Sequence, residues 1–227
     1  MKVSIVIPTI NEADSIRSVL EELQRAFTNS GMKYEIVIVD TDSDDGTPRI
    51  AEEMGAKVIK ESRRGYGRAY KTGFAAAKGE LIATLDADLT YPAECIPDLI
   101  HLLEKEELDF ISTNRLAEME KGSMSLMHFI GNKVLTLVCN ILFHVDLKDS
   151  QSGMWVFRSA ILEDLALISD GMSFSEEIKI EAMKKFRGKE VPIKYRKRVG
   201  EVKLSSWDDG IENLLFLFKK RFLKEGP

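Results

Sequence analysis

Leu81-Ile82-Ala83-Thr84-Leu85-Asp86-Ala87-Asp88 decides the fold. The five residues before Asp86 form a short apolar run that starts just after Gly79. Such a run reads as a strand buried on both faces. That kind of strand belongs to a parallel or mixed sheet covered by helices, and ligands of such sheets bind beyond the carboxyl ends of the strands. Two carboxylates placed there with only Ala87 between them repel each other and lose hydration unless a cation sits between them. Hard oxygen ligands suit Mg²⁺ or Mn²⁺, which bind through one or two carboxylates plus substrate phosphates. A solvated turn is the other reading, because Asp is common after strands.

Working outward, residues 3–7 read as a first strand stopped by Pro8. Asn11 or Asp14 can cap a helix running to about Phe27, with Ile16, Val19, Leu20 and Leu23 on one face. Residues 34–39 form a second strand ending in Asp40, and Thr47-Pro48 opens a second helix. A strand over 57–60, a helix over 68–78 closed by Gly79, a helix over 92–105 and a strand over 109–113 continue the alternation. Strand alternating with helix predicts an α/β fold with a parallel-type sheet and right-handed crossovers. Beyond Arg115 the expected elements are a polar loop (117–123), a long interrupted apolar helix (124–143), a strand (154–157) and a short helix (161–168). A helix (175–186), a strand (190–195) and an amphipathic segment (211–223) complete the chain.

At 227 residues the chain is sized for one large domain with appendages. A formal net charge of −5 argues against a nucleic-acid partner, which would want a basic domain or stripe. The two cysteines, Cys95 and Cys139, offer neither a disulfide framework nor zinc spacing, which suits a reducing cytosol. Residues 1–8 are too quickly broken for a signal peptide. No uninterrupted apolar stretch of about 18 residues occurs, so no spanning helix is expected.

Two further loops invite chemistry. The carboxylates of Asp40-Thr41-Asp42-Ser43-Asp44-Asp45-Gly46-Thr47 suggest a calcium loop, but the glycine required at position six is Asp45 and the glutamate required at position twelve is Ala51. A loop after a sheet strand is better placed to hold a nucleotide, with Asp40 accepting from base or ribose; a solvated turn is the plainer alternative. Arg63-Arg64-Gly65-Tyr66-Gly67-Arg68-Ala69 lacks the third glycine of a dinucleotide fingerprint, since Tyr70 stands there. Three arginines at a helix N-terminus still make an anion site plausible, as they do a basic surface turn.

The order of these segments carries a resemblance. Ile7-Pro8-Thr9-Ile10-Asn11-Glu12, Val39-Asp40, Asp45-Gly46-Thr47, Gly65-Tyr66-Gly67-Arg68-Ala69, Asp86-Ala87-Asp88 and Asn114-Arg115, in that order, resemble the family 2 inverting glycosyltransferases. Ile130-Gly131-Asn132-Lys133, Asp149-Ser150-Gln151-Ser152-Gly153 and the run from Arg196 to Leu204 resemble the polyprenyl-phosphate hexosyltransferase branch, which includes dolichyl-phosphate mannose and glucose synthases. The resemblance implies a GT-A type fold, three layers α/β/α about a mostly parallel sheet, with a catalytic domain over 1–205 and a C-terminal amphipathic helix over 206–227. It implies transfer of a hexose from GDP-mannose or UDP-glucose to dolichyl or polyprenyl phosphate, dependent on Mg²⁺ or Mn²⁺.

It also implies roles. Pro8, Glu12 and Asp40 would line the nucleoside pocket, with Arg68, Asp86 and Ala87 along the nucleotide sugar. Asp86 and Asp88 would bind the metal with the diphosphate, and Gln151 would complete that site. Arg115 would meet the acceptor phosphate or the transferring sugar. Lys133, Arg196 and Lys203 would hold phosphate. Arg115 read as a structural ion pair, and Arg196 and Lys203 read as a solvated basic face, are the alternatives. Thr41 stands where a second aspartate is common, and Thr90-Tyr91-Pro92 replaces the Gln-His-Pro frequent in mannose synthases.

A phosphate acceptor is largely ionised near pH 7, so no essential carboxylate base is expected. Glu176 and Glu177 read instead as the acidic first turn of a helix capped by Ser173 or Ser175. In-line attack by the phosphate would invert the anomeric carbon. Ile211, Leu214, Leu215, Phe218 and Phe222, followed by Lys219, Lys220, Arg221 and Lys224, read as an interfacial helix on the cytoplasmic face of an anionic membrane. Residues 124–143 read as a second, with core or dimer packing as the alternative for both. Competing functions are a family 2 transferase using a sugar or protein hydroxyl, and a catalytically silent membrane-surface or partner-binding protein. A sugar nucleotidyltransferase would want a Gly-rich loop after the first strand, and residues 8–12 contain no glycine.

Overall fold

A computed structural model describes residues 2–200 and 206–222. The strands are β1 (Lys2–Thr9), β2 (Lys33–Asp40), β3 (Lys57–Lys60), β4 (Leu81–Thr84), β5 (Phe110–Met119), β6 (Trp155–Arg158) and β7 (Gly188–Tyr195). The helices are α1 (Ala13–Ser30), α2 (Thr47–Glu53), α3 (Tyr66–Ala76), α4 (Ile96–Lys105), α5 (Leu126–Phe143), α6 (Phe174–Lys185) and α7 (Ser206–Phe222). The seven strands form one sheet in the order β3-β2-β1-β4-β6-β5-β7. Every pairing is parallel except the two made by β6.

Alternation along β1 explains the layers. Val3, Ile5 and Ile7 enter one core with Ile16, Leu20 and Leu23 of α1 and Ile96 and Ile100 of α4. Val6 enters the opposite core with Tyr70 and Phe74 of α3 and Phe174 and Ile178 of α6. Side chains of a strand point alternately to opposite faces, so a continuous apolar run serves both cores at once. A third, smaller cluster joins Cys139 and Phe143 of α5, Ile180 of α6 and Leu217 of α7. The last helix is therefore packed on the outside of the sheet-covering helices rather than standing apart.

Several expectations are corrected. β5 continues to Met119 through the start of the expected polar loop, because it keeps pairing with β7 across a register shift between Asn114 and Glu118. The short helix expected over 161–168 is a 3-10 turn, Ser159–Asp164. β6 enters the sheet reversed: the chain returns from α5 at the carboxyl end of β4, where Thr84 Oγ1 donates to the Gly153 carbonyl at 2.8 Å and accepts from Trp155 N–H at 2.8 Å. α1 is not capped by Asn11 or Asp14; the Ala13 amide donates to Asp45 of the next βα loop at 2.8 Å. By length and composition α5 is one helix, among the described residues, that could cross a membrane.

Candidate active site

β1, β2 and β4 end side by side, and their C-terminal residues build the site. On β2, buried Asp40 accepts from Thr9 Oγ1 at 2.9 Å and from Ser43 Oγ at 2.6 Å. Pro8 lies in register with Val39 one residue before that cluster, and Glu12 is buried beside it. The nucleoside-pocket candidates are thus gathered at adjacent strand ends.

Asp86 and Asp88 follow β4. Asp88 is 5% exposed, and its Oδ1 accepts from the Thr90 amide at 3.0 Å and the Thr90 hydroxyl at 2.6 Å. Between them Leu89 holds φ at 64°, a left-handed conformation that costs a side-chain-bearing residue roughly 1–2 kcal/mol. Such strain collects at functional sites. Ala87 is buried in the core beneath. Asp86 is fenced by phenols: Tyr66 and Tyr70 hydroxyls donate to its Oδ1 at 3.5 and 3.4 Å. Burial, then the charge of Asp88, pushes the Asp86 carboxyl up to about 7, against the pull of Arg115 and Arg198. A Cβ on Gly153 would run into the Tyr66 hydroxyl and push that phenol off its place beside Asp86.

Arg115 and Arg198 are the cations of the site. Arg115 is clamped by Asp149 through Nε at 2.8 Å and Nη2 at 2.9 Å, with its guanidinium 5.4 Å from the centre of the Tyr195 ring. The structural ion pair is real, and the pairing holds Asp149 below the ordinary carboxylate range despite its burial. Arg198 lies 3.3 Å from Asp88 Oδ2 and 3.8 Å from Glu12 Oε1. Its Nε is buried with no hydrogen-bond partner among the described residues. Backbone bonds from Arg196 N–H to Thr90 O and from Val199 N–H to Asp88 O strap this segment over the acidic loop.

The structure separates other candidates from this centre. Arg196 ion-pairs with Glu22 and Glu94, and it is Arg198, two residues on, that reaches Asp88. Arg68 pairs with Glu61 at 3.1 Å, and the first amides of α3 donate to the carbonyls of Gly171 and Asp170. That spends the anion site expected of this helix N-terminus on backbone. Lys133 stands on the exposed side of α5 over the Phe129 ring. Lys203 lies outside the described residues.

Gln151 is embedded in a buried polar network. Its Nε2 donates to Glu176 Oε2 at 2.8 Å and to Ser150 Oγ at 3.0 Å, while Oε1 accepts from Asn213 of α7 at 3.0 Å. Glu176 is fully buried and its carboxyl is pushed up to about 8 by burial. It stands in the first turn of α6 as expected, but buried, and Ser173 makes no side-chain cap. Lys179, pulled down to about 8 by burial, donates to the Asp149 carbonyl at 2.9 Å. Tyr66, Tyr70, Arg198, Glu176, Lys179 and Asn213 were not singled out as site residues from sequence; only the nearly unbroken burial of α6 hints at its share.

The sequence that places these aspartates at the sheet's carboxyl edge matches the model of glycosyl transferase family 2 over residues 4–166. The chain belongs to glycosyltransferase family 2. This family 2 chain is 33% identical over 208 residues to a dolichyl-phosphate hexose transferase of Haloferax volcanii, covering 91% of this chain and 88% of that one. It is 37% identical to the low-salt glycan biosynthesis hexosyltransferase Agl6 of the same organism, covering 94% of this chain but 52% of that protein. A dolichol-phosphate mannosyltransferase of Pyrococcus furiosus is 32% identical, with 90% of this chain and 59% of that protein covered. The chain thus spans little more than half the length of two of these relatives. Among solved structures, glucosyl-3-phosphoglycerate synthase from Mycobacterium tuberculosis with Mn²⁺ and UDP-glucose superposes with a TM-score of 0.75 at 17% identity, over 97% of this chain and 78% of that one. This likeness establishes a shared GT-A-like fold.

Proposed function

We propose that the chain transfers a hexose from a nucleotide sugar to dolichyl or another polyprenyl phosphate with inversion at the anomeric carbon. One observation carries the reading: the acidic pair Asp86 and Asp88 meets the two arginines Arg115 and Arg198 at the sheet edge. Anionic ligands on both sides of a cation need that arrangement. The relatives' names and the metal and UDP-glucose bound by the fold neighbour support it.

The donor set suits Mg²⁺ or Mn²⁺. Asp86 and Asp88 offer hard oxygens, with Asp86 raised by burial and then by the charge of Asp88; among the described residues no group of three or more His, Cys, Asp or Glu that could hold a metal comes together, so an ion here needs oxygens from the substrate. Asp86 and Asp88 would hold the ion, with Gln151 the proposed third donor, and diphosphate oxygens would supply the rest. Such an ion, when bound, supplies Lewis-acid neutralisation of the departing diphosphate. The protein's residues do the remainder. Asp40, Glu12 and Pro8 line the nucleoside end. Arg198 rests on Asp88, and its unpaired buried Nε is a donor suited to a phosphate oxygen. Arg115, held rigid by Asp149, stabilises negative charge without reorganising. Because a phosphate monoester has a second pKa of about 6, the acceptor is its own nucleophile and no base is required.

α5 and α7 fit a lipid acceptor. Leu126 (74% exposed), Ile130, Leu137 and Ile141 on α5 face outward, as do Ile211, Leu215 and Phe222 (67%) on α7. Lys219 and Arg221 are exposed in the last turn of α7, whereas Lys220 turns inward to Glu177 and Glu181. We place this face in the headgroup region of the cytoplasmic leaflet, as a peripheral association. The test is Asp88→Ala in the full chain: transfer to polyprenyl phosphate is lost while the circular-dichroism spectrum is kept, and chelator abolishes wild-type transfer. Full activity of Asp88→Ala with chelator present would refute the reading.

A further inference from the structure

Lys179 stands in the middle of α6 and is fully buried. Ile178 before it lies in the core under the sheet, and Ile180 after it in the cluster with α5 and α7, as inward positions should. An ammonium at such a place loses its hydration, and a methionine would fill the space at less cost. Its one hydrogen bond among the described residues goes to the Asp149 carbonyl, at 2.9 Å. The same turn is gripped from the other side. Glu190 of β7 accepts from the Lys148 amide and, at 3.2 Å, from the Asp149 amide. The main chain of Asp149 is thus fixed at both its amide and its carbonyl. The Asp149 carboxylate in turn takes three donors from Arg115: the backbone amide at 3.0 Å, Nε at 2.8 Å and Nη2 at 2.9 Å. Arg115 Nη1 makes no hydrogen bond among the described residues, and the side chain keeps 10% of its surface exposed where Asp149 keeps none.

We infer that Lys179 is a positioning residue for Arg115: held between the Lys179 ammonium and the Glu190 carboxylate, the Asp149 main chain keeps its carboxylate still, and the guanidinium clamped on it keeps Nη1 free for an anion beside the acidic pair. This rests on the reading of Arg115 as a cation of the site, which its pull on the Asp86 carboxyl and its seat over the Tyr195 ring support. Placement is one half of the role, since a group displaced by a fraction of an ångström loses much of its effect on a reacting charge. Charge is the other half. Asp149 and Glu190 set two carboxylates against the single guanidinium of Arg115. Lys179 lies near both carboxylates and restores the balance, so the positive field of Arg115 toward the site is not cancelled from behind.

The test reads the Arg115 Nε–H directly, by nuclear magnetic resonance of the full chain labelled with nitrogen-15, the resonance being identified by its loss in Arg115→Lys. In the wild type it is sharp and exchanges slowly with water. In Lys179→Met it broadens or exchanges about tenfold faster or more, as a locally loosened group does. Lys184→Met, at an exposed lysine of the same helix, leaves it unchanged. Thermal melts followed by circular dichroism establish that each variant is folded, and Lys179→Ala serves if the methionine prevents folding. A folded Lys179 variant with the wild-type Nε–H resonance would overturn the inference whatever its melting temperature, because a merely structural lysine moves the melt alone. This readout needs no transfer, so it stands apart from the proposed activity. The second arm is hexose transfer to polyprenyl phosphate. There kcat falls about tenfold to a hundredfold in Lys179→Met with donor KM unchanged, and the double variant is no slower than Arg115→Lys alone. A loosened Nε–H with unchanged kcat would keep the clamp but remove Arg115 from the reaction, overturning the reading on which the inference rests. Additive losses in the double variant would show Lys179 acting by another route and would overturn the inference itself.

Discussion

Arg115 and Asp149 are both buried, so neither can lose its partner cheaply. Asp149→Ala strands a guanidinium in the interior and is expected to cost ~3–5 kcal/mol of stability, read from urea unfolding; a loss under 1 kcal/mol would mean the pair is solvated. The cysteines behave oppositely to reactive thiols. Burial first, then Glu94 and Asp98, pushes Cys95 up to about 12, and burial with Glu176 does the same for Cys139. Since burial penalises the thiolate, neither should label with maleimide at pH 7.5 in the folded chain, and rapid native labelling would contradict this. The placement of Asp40, Asp86 and Asp88 was legible because Asp40 ends β2 and Asp86 and Asp88 follow β4, and a strand end fixes where its next side chains go. Arg196 and Arg198 were not separable in the sequence. Their fates depend on Glu22, 174 residues away, and on the strap over Asp88, both set by tertiary contact alone. Glu176 does stand in the first turn of α6 as read, but its burial was not legible, because acidic residues there usually face water, whereas α6 is packed between the sheet and the outer helices.

α7 is fastened electrostatically as well as by Leu217. Lys220 bridges Glu177 at 2.9 Å and Glu181 at 3.0 Å, both on α6. Burial pushes the Glu181 carboxyl up, but bonds from Lys185 and Lys220 outweigh it and hold it below its usual 4.5. A carboxylate held low in the folded chain adds stability that is full above the unfolded value and fades as pH falls through the folded one. Protection of the α7 amides in hydrogen exchange, corrected for intrinsic rate, should therefore be full near pH 6 and fall below about 4.5, before the strand amides open. Equal loss in α7 and β1 would contradict it, and Lys220→Met should weaken the step. At this scale the order of strands and helices was readable from period and punctuation, down to β3 over Lys57–Lys60. The direction of β6 was not, because a short apolar strand carries no mark of polarity; the return of the chain at the Thr84–Gly153 contact sets it.

Over the whole molecule, the sheet edge and the apolar outer face lie on one chain of contacts: Asp88 loop, residues 149–153, α6 and α7. Large apolar side chains left exposed along α5 and α7 mark a candidate interaction face. Leu215→Ser with Phe218→Ser should shift the chain from pellet to supernatant in sedimentation with anionic vesicles, each side chain giving up to about 1.5–3 kcal/mol of burial. Unchanged sedimentation would place the membrane contact elsewhere. The most direct measurement is the lipid product itself. The full chain is incubated with Mn²⁺, a polyprenyl phosphate in vesicles and a panel of nucleotide sugars, with the matching polyprenol as control, and the lipid fraction is analysed by mass and anomeric configuration. The expected product is polyprenyl phosphate heavier by one hexosyl group, beta-linked from an alpha donor. An alpha-linked product, or hexose found on the phosphate-free polyprenol and not on the phosphate, would contradict it.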